Sequence, residues 1–105
     1  MSCDHDFGKT KRNGALEMVL DDNGHLVVAN SYSTCLVARR DDGRYVLNGT
    51  KYSVTSSRHF NKALGHIPVS ASAVRVVDVQ RGASSEDLLR AGEARWQEVD
   101  DAKRQ

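Results

Sequence analysis

The chain has 105 residues, of which 39% are hydrophobic and 28% are charged, and its formal net charge is +1. This length suits one domain with a modest core, and the sequence has no apolar run long enough for a transmembrane helix or a secretory signal. Its two cysteines are too few for a disulfide scaffold, so we expect a reduced protein of the cytoplasm with no membrane partner.

The N-terminal part of the sequence divides into an aperiodic segment and a hairpin. Residues 1–13 lack a hydrophobic period and are expected to be a flexible N-terminus, which leaves a single domain over residues 14–105. Residues 15–20 and 25–30 alternate apolar and polar side chains and are joined by Asp-Asp-Asn-Gly. This pattern predicts two antiparallel strands with a tight turn.

The centre of the chain is a run of β-rich segments. Between residues 34 and 55, three such segments are separated by Asp-Gly and Asn-Gly, the dipeptides that favour hairpin turns. Residues 73–80 are rich in valine and predict one more strand. The sequence therefore predicts an antiparallel meander of about five to six short strands.

Two helices are expected to cover this sheet. The first spans about residues 57–64, with Ser56 or Ser57 as its N-cap, and the second spans about residues 86–103. Together with the meander they predict an α+β fold.

The sharpest candidate site is the predicted start of the first helix. A helix N-terminus favours anions, and Ser56, Ser57, Arg58 and His59 would complement a phosphate there. The alternative is that a serine only caps the helix and Arg58 lies in solvent.

The second candidate site is a basic surface on the meander. Residues 39–81 carry eight Lys or Arg residues against three Asp residues, whereas both flanking segments are net acidic. Cations interleaved with tyrosines are typical of nucleic-acid-binding sheets, although strand tyrosines also serve as packing residues and the cations as ordinary solvated surface. The side chains concerned are Arg39, Arg40, Arg44, Lys51, Arg58 and Lys62, with Tyr32, Tyr45 and Tyr52.

Catalysis, metal binding and cofactors are not indicated. The sequence has no Cys-x-x-Cys or His-x-x-x-His spacing, and nothing near Cys35 or His59 marks them as an activated nucleophile and base. The single tryptophan, Trp96, either seals the second helix onto the sheet or anchors a partner or a second copy of the chain.

Two segments carry a resemblance to a known class of proteins. Residues 30–34, Asn-Ser-Tyr-Ser-Thr, and residues 48–59, Asn-Gly-Thr-Lys-Tyr-Ser-Val-Thr-Ser-Ser-Arg-His, resemble small uncharacterised accessory proteins of phages and mobile elements. The likeness covers about residues 25–65 and implies an anti-defence inhibitor of the anti-CRISPR kind. It supplies no catalytic motif to carry over.

These observations lead to three functional expectations. The first is a non-enzymatic inhibitor whose basic central face binds an acidic or nucleic-acid-mimicking host protein. The alternative is a small nucleic-acid- or nucleotide-binding protein that uses the same face, with its phosphate seat at Ser56 to His59. The third is a homodimer through the C-terminal helix, with Trp96 at the interface.

Overall fold

The computed structural model describes residues 9–13 as backbone and residues 15–103 with their side chains. Within these residues the chain forms six strands and two helices. The strands are β1 (Lys9–Asn13), β2 (Leu16–Leu20), β3 (Leu26–Ser31), β4 (Thr34–Arg39), β5 (Tyr45–Asn48) and β6 (Ala73–Val76). The helices are α1 (Val54–Leu64), between β5 and β6, and α2 (Ser85–Lys103), after β6.

The strands pair in sequence order, so the predicted α+β architecture with its meander is confirmed. Strands β1 to β5 are antiparallel neighbours, as short hairpin loops require. Strand β6 differs from the expected pattern because it runs parallel to β5. A parallel neighbour needs a crossover, and α1 supplies it.

The first strand lies in the segment that was expected to be a flexible N-terminus. Residues 9–13 of that segment form β1, which pairs along β2 from Lys9 opposite Leu20 to Asn13 opposite Leu16. The remainder of the segment, residues 1–8, lies outside the described residues.

The third β-rich run of the centre is a loop followed by a helix, which corrects the expected strand over residues 50–55. Strand β5 ends at Asn48, and α1 begins at Val54, three residues before its expected start. The N-cap is Ser53, whose hydroxyl accepts a hydrogen bond from the Ser56 backbone N–H at 3.1 Å. A serine cap outweighs the weak β preference of Val54, because the side chain of that first helical residue lies in solvent.

The sheet lies between the two helices. The core is accordingly divided into two clusters, one on each face of the sheet. In strand β5, Tyr45 packs in the cluster on the α1 side, and Val46 packs in the cluster with Leu88 and Trp96 of α2. Adjacent residues of a strand point to opposite faces, so both faces of the central strands are covered. The sheet therefore has no open central face of the kind that the sequence suggested.

Neither helix of the described chain has the length and apolar character needed to cross a membrane.

Candidate functional site

The arginines near the β4–β5 turn are held by carboxylates. Arg39 donates to Asp21 at 2.8 Å, and Arg44 donates to Asp42 at 2.9 Å and to Asp100 of α2 at 2.9 Å. The hydrogen bonds from Arg44 lower the pKa of both Asp42 and Asp100. These two arginines therefore build the fold, and the basic face predicted from them is neutralised at this end of the sheet.

Trp96 is the core residue of the α2 interface. Its side chain is 2% exposed, and its indole N–H donates to the Tyr45 carbonyl at 3.1 Å. The guanidinium carbons of Arg44 and Arg40 lie 4.2 Å and 5.6 Å from the ring centroid. Trp96 therefore packs in the core between α2 and the sheet, and its ring is not exposed.

The other predicted cations lie on the α1 side of the molecule and are exposed. Lys51 precedes the helix, and Arg58 and Lys62 lie on its outer surface. Within residues 15–103 none of the three forms an ion pair with a carboxylate. They therefore form an exposed basic patch on the α1 side.

Two further arginines on this side were missed. Arg75 and Arg81 each line a cleft beside the first turn of α1. A sequence signal for this surface exists: residues 45–77 contain four Lys or Arg residues, among them Arg75, and neither Asp nor Glu.

The larger cleft, which we call the hydroxyl cleft, has a volume of about 440 Å³. Seven of its eight lining residues carry a hydroxyl group, and the eighth is Arg81. The hydroxyl-bearing residues are Ser31, Tyr32, Thr34, Tyr52, Ser53, Thr55 and Ser56. The lining contains no carboxylate.

The arginine of the hydroxyl cleft is oriented by its neighbours. Arg81 donates from Nη2 to the Tyr52 carbonyl at 3.1 Å, and its guanidinium carbon lies 5.7 Å from the Tyr52 ring centroid. The next residue, Gly82, donates its backbone N–H to the Thr34 hydroxyl at 2.8 Å. Two further contacts, between Tyr52 and Val79 and between Val79 and Thr50, hold this segment against the loop before α1.

The N-terminal end of α1 lies at the hydroxyl cleft. Its first turn has no acidic residue, and the cap satisfies the Ser56 N–H. The N–H groups of Val54 and Thr55, the first two helical residues, have no carbonyl partner within a helix. The positive end of the helix dipole is therefore left for an external anion. This end is formed by Ser53 to Ser56 and not, as predicted, by Ser56 to His59.

Tyr32 forms the rim of the hydroxyl cleft. It lies in the two-residue turn between β3 and β4 with a φ of 56°, in the left-handed region that non-glycine residues adopt only with strain. Its side chain is 66% exposed. By contrast, Tyr45 is buried and its hydroxyl donates to the Leu26 carbonyl at 2.6 Å, so it serves packing alone.

The smaller cleft, which we call the Arg75 cleft, has a volume of about 290 Å³ and lies on the other side of the same turn. Ser56 borders both clefts. The charged side chains of the Arg75 cleft are Lys51 and Arg75. Its other lining residues are Leu36, Asn48, Gly49, Thr50, Ser56, Ser57, Phe60 and Asn61.

His59 supports the turn of Tyr32. Its Nδ1 lies 2.6 Å from the Ser31 hydroxyl, and its ring lies 6.2 Å from that of Tyr32. The sequence had weighed His59 as a base for Cys35, but Cys35 packs in the cluster under α2. Burial raises the pKa of the Cys35 thiol to about 12, so it is not an activated nucleophile.

We find no metal-binding site in the part of the chain that the structure describes. There, no three His, Cys, Asp or Glu side chains lie close enough together to hold an ion. Cys3 and His5 lie outside the described residues.

The comparisons with known proteins identify a family. The model of a family of unknown function, DUF8033, matches residues 5–79, which is more than half of the chain, and the chain therefore belongs to that family. The match contains all six strands and α1, and it ends before Arg81 and α2. No curated protein and no solved structure matches the chain.

Proposed function

For this member of the DUF8033 family, we propose a non-enzymatic role in binding nucleic acid or a nucleotide through phosphate groups at the hydroxyl cleft. The observation that carries the proposal is the composition of that cleft: seven hydroxyl-bearing residues and one arginine, at the N-terminal end of a helix without acidic residues in its first turn. We expect this binding to take place in the cytoplasm.

A phosphate would find three kinds of donor in the hydroxyl cleft. Arg81 provides a charged, planar guanidinium, which suits phosphate oxygens. Thr55 provides a hydroxyl, and the first N–H groups of α1 provide backbone donors. An anion in this position would also compensate the helix dipole, which no side chain of the first turn does.

The exposed ring of Tyr32 favours a nucleotide over inorganic phosphate. Bases stack on aromatic side chains with little dependence on sequence, and each such contact is worth about 1–3 kcal/mol. Tyr32 is 66% exposed at the rim of the cleft that contains Arg81. A ligand with both a phosphate and a base would therefore find a partner for each in one cleft.

The experiment that tests the proposal is fluorescence anisotropy of labelled single- and double-stranded DNA and RNA at about 50 and about 200 mM salt. We expect binding that weakens steeply with salt. Arg81→Ala should weaken it further and reduce the salt slope by about 1, because one phosphate contact is lost.

The matched control is Arg90→Ala, since Arg90 is an exposed arginine of α2 beside Asp87. It should bind as the wild type does. Flat binding curves for every oligonucleotide, or equal losses in the two variants, would contradict the proposal.

A second candidate is a phage-type, anti-CRISPR-like inhibitor that binds an acidic or nucleic-acid-mimicking host protein in the host cytoplasm. The observation that favours it is the exposure of Val54, 72%, in the first turn of α1, three residues after the exposed Lys51. Apolar and aromatic groups among cations are typical of protein interfaces. In this candidate the α1 surface replaces Arg39, Arg40 and Arg44 as the binding face, because Arg39 and Arg44 donate to carboxylates and Arg40 lies 3.9 Å from Asp42.

The two candidates separate experimentally. An inhibitor would give flat oligonucleotide curves and a discrete captured protein, and Val54→Asp would abolish the capture while Arg90→Ala would not. Capture that is insensitive to Val54→Asp would exclude the α1 surface as the interface.

A further inference from the structure

The Arg75 cleft extends the proposed site beyond a single phosphate. We propose that the two clefts bind successive nucleotides of one strand, so that the ligand is a single-stranded nucleic acid and not a mononucleotide. This inference rests on the proposed function of the hydroxyl cleft. Two observations support it: the side chains that line the Arg75 cleft, and the position of Ser56, which borders both clefts.

The cations of the Arg75 cleft are available to a ligand. Lys51 and Arg75 are exposed, and within the described residues neither is paired with a carboxylate. Arg44 shows the opposite case, with two carboxylate partners. A phosphate arriving at Lys51 or Arg75 would not have to break an existing ion pair.

Arg75 is held in place by a glycine and an aromatic ring. A Cβ atom at Gly49 would lie 2.6 Å from both Cγ and Cδ of Arg75, so only glycine leaves room for this side chain against the backbone. The guanidinium carbon lies 5.6 Å from the Phe60 ring centroid. A guanidinium fixed in this way combines a planar surface for a base with donors for a phosphate.

Polar side chains in the same cleft suit the edge of a base. Asn61 and Thr50 line it together with Lys51 and Arg75. An amide offers both donors and acceptors, as base edges require. The cleft therefore has groups that can bind a base and groups that can bind the phosphate backbone of a nucleic acid. Its volume of about 290 Å³ is at the lower end of the range for small-ligand sites.

The two clefts are separated by one turn of chain and share Ser56. A strand that crosses the first turn of α1 would occupy both. Bases in a duplex are paired and stacked inside the helix, whereas an unpaired strand can turn its bases into separate clefts. The arrangement therefore selects single strands.

The test is a length series of unlabelled thymidine and uridine oligonucleotides, from mononucleotide to decamer, titrated against the full chain by calorimetry. We expect affinity to rise at least about tenfold from the mononucleotide to the oligomers that span both clefts. Comparison of the two series distinguishes DNA from RNA. A matching duplex should bind at least about tenfold more weakly than the decamer.

Variants assign the two clefts. Arg75→Ala should remove the gain with length and leave the mononucleotide affinity unchanged, and Gly49→Ala should act in the same direction by displacing Arg75. Arg81→Ala should weaken both ligands, and Arg90→Ala neither. Circular dichroism and thermal unfolding identify variants that fail to fold. If Arg75→Ala is one of them, Arg75→Lys replaces it.

The outcomes distinguish this inference from the proposed function. A mononucleotide that binds as tightly as the decamer, with Arg75→Ala neutral for both, overturns the two-cleft inference and leaves the proposed function standing. Duplex that binds as tightly as single strand overturns the selection of single strands. Wild-type protein that binds no ligand of the series overturns both.

Discussion

The arginines of this chain differ in what they contact, and the difference decides which of them are free for a ligand. Arg39 and Arg44 donate to carboxylates, whereas Arg75 and Arg81 lie beside aromatic rings and form no ion pair within the described residues. Arg81 also borders a neighbouring cleft that is lined by Asp78 and Asp87. An external anion must compete with an existing partner in the first group and not in the second. The same residue type thus builds the fold at one end of the sheet and lines the proposed site at the other.

Asp21 is the carboxylate most strongly affected by its surroundings. The hydrogen bond from Arg39, followed by those from the backbone N–H groups of His25 and Asn23, lowers its pKa from the ordinary 3.8 to about 2. A lowered pKa in the folded state stabilises the fold above the ordinary value, and this contribution disappears as the pH falls toward 2. We expect Asp21→Asn to be less stable than the wild type at neutral pH, with the difference shrinking between about pH 4 and pH 2.

Urea unfolding at neutral pH, near pH 4 and near pH 2.5 measures this effect. Asp22→Asn, at the exposed neighbouring position, serves as the control and should follow the wild type throughout. A difference for Asp21→Asn that stays constant over this range would contradict the role of the ionised carboxylate.

Cys35 should be chemically silent in the native protein. Its side chain is 0% exposed, and burial raises the pKa of the thiol to about 12, so almost no thiolate is present or accessible near neutral pH. In a Cys3→Ser variant, which leaves one thiol, a disulfide reagent should react only when denaturant unfolds the chain. Reaction in the native protein at the rate of a free thiol would show that this part of the core opens.

At the level of elements, the start of α1 depends on Ser53. Because its hydroxyl accepts the Ser56 N–H, Ser53→Ala should lower the free energy of unfolding by about 1 kcal/mol. Ser57→Ala, four residues on and exposed, should change it by less than about 0.5 kcal/mol. Urea unfolding compares the two. Equal effects would contradict the assignment of the cap.

Helix α2 is seated on the sheet at Gly92. A Cβ atom there would lie 2.5 Å from both methyl carbons of the buried Val46. In an exposed helix Gly→Ala would stabilise the chain by about 1 kcal/mol, but overpacking costs about 1–3 kcal/mol. We expect Gly92→Ala to be destabilising by thermal or urea unfolding.

The Val46→Ala background provides the control for this prediction. Removing the Val46 methyl groups should relieve the clash, so Gly92→Ala should be less harmful there than in the wild type. A gain in stability in the wild-type background would contradict the close contact.

The sequence predicted the elements that local chemistry determines. Turn dipeptides and alternation located the hairpins of β2 to β5, and α2 begins within one residue of its expected start. The start of α1 was predicted too late in the chain because Val54 and Thr55 continue a β-rich pattern. The hydroxyl of Ser53 caps the helix and so begins it within that pattern. Strand β6 was expected, but its parallel pairing with β5 depends on a crossover that no local sequence pattern predicts.

The site was predicted only in part, for a different reason. Lys51, Tyr52 and Ser56 were named and do line the clefts. The role of Arg44 depends on Asp100, which lies 56 residues away in the chain, so sequence proximity could not distinguish a paired arginine from a free one. Arg81 joins the hydroxyl cleft through its contact with Tyr52, 29 residues earlier.

On the scale of the whole molecule, charge is divided between the two sides of the sheet. On the α1 side, residues 49–64 carry Lys51, Arg58 and Lys62 and no acidic side chain, whereas residues 85–103 of α2 carry six acidic and three basic ones. A polyanion would therefore be guided toward α1 and away from α2. The two clefts, the exposed Lys51, Arg58 and Lys62, and the N-terminal end of α1 lie on that same side.

The measurement that tests this account most directly is an amide-resolved NMR titration of the full chain with a single-stranded decamer at about 50 mM salt. We predict shifts confined to the two clefts, above all at Thr50, Lys51, Arg81 and the first turn of α1, with the outer face of α2 unchanged. Shifts centred on α2 or on the β4–β5 turn, or an unchanged spectrum at excess ligand, would contradict it.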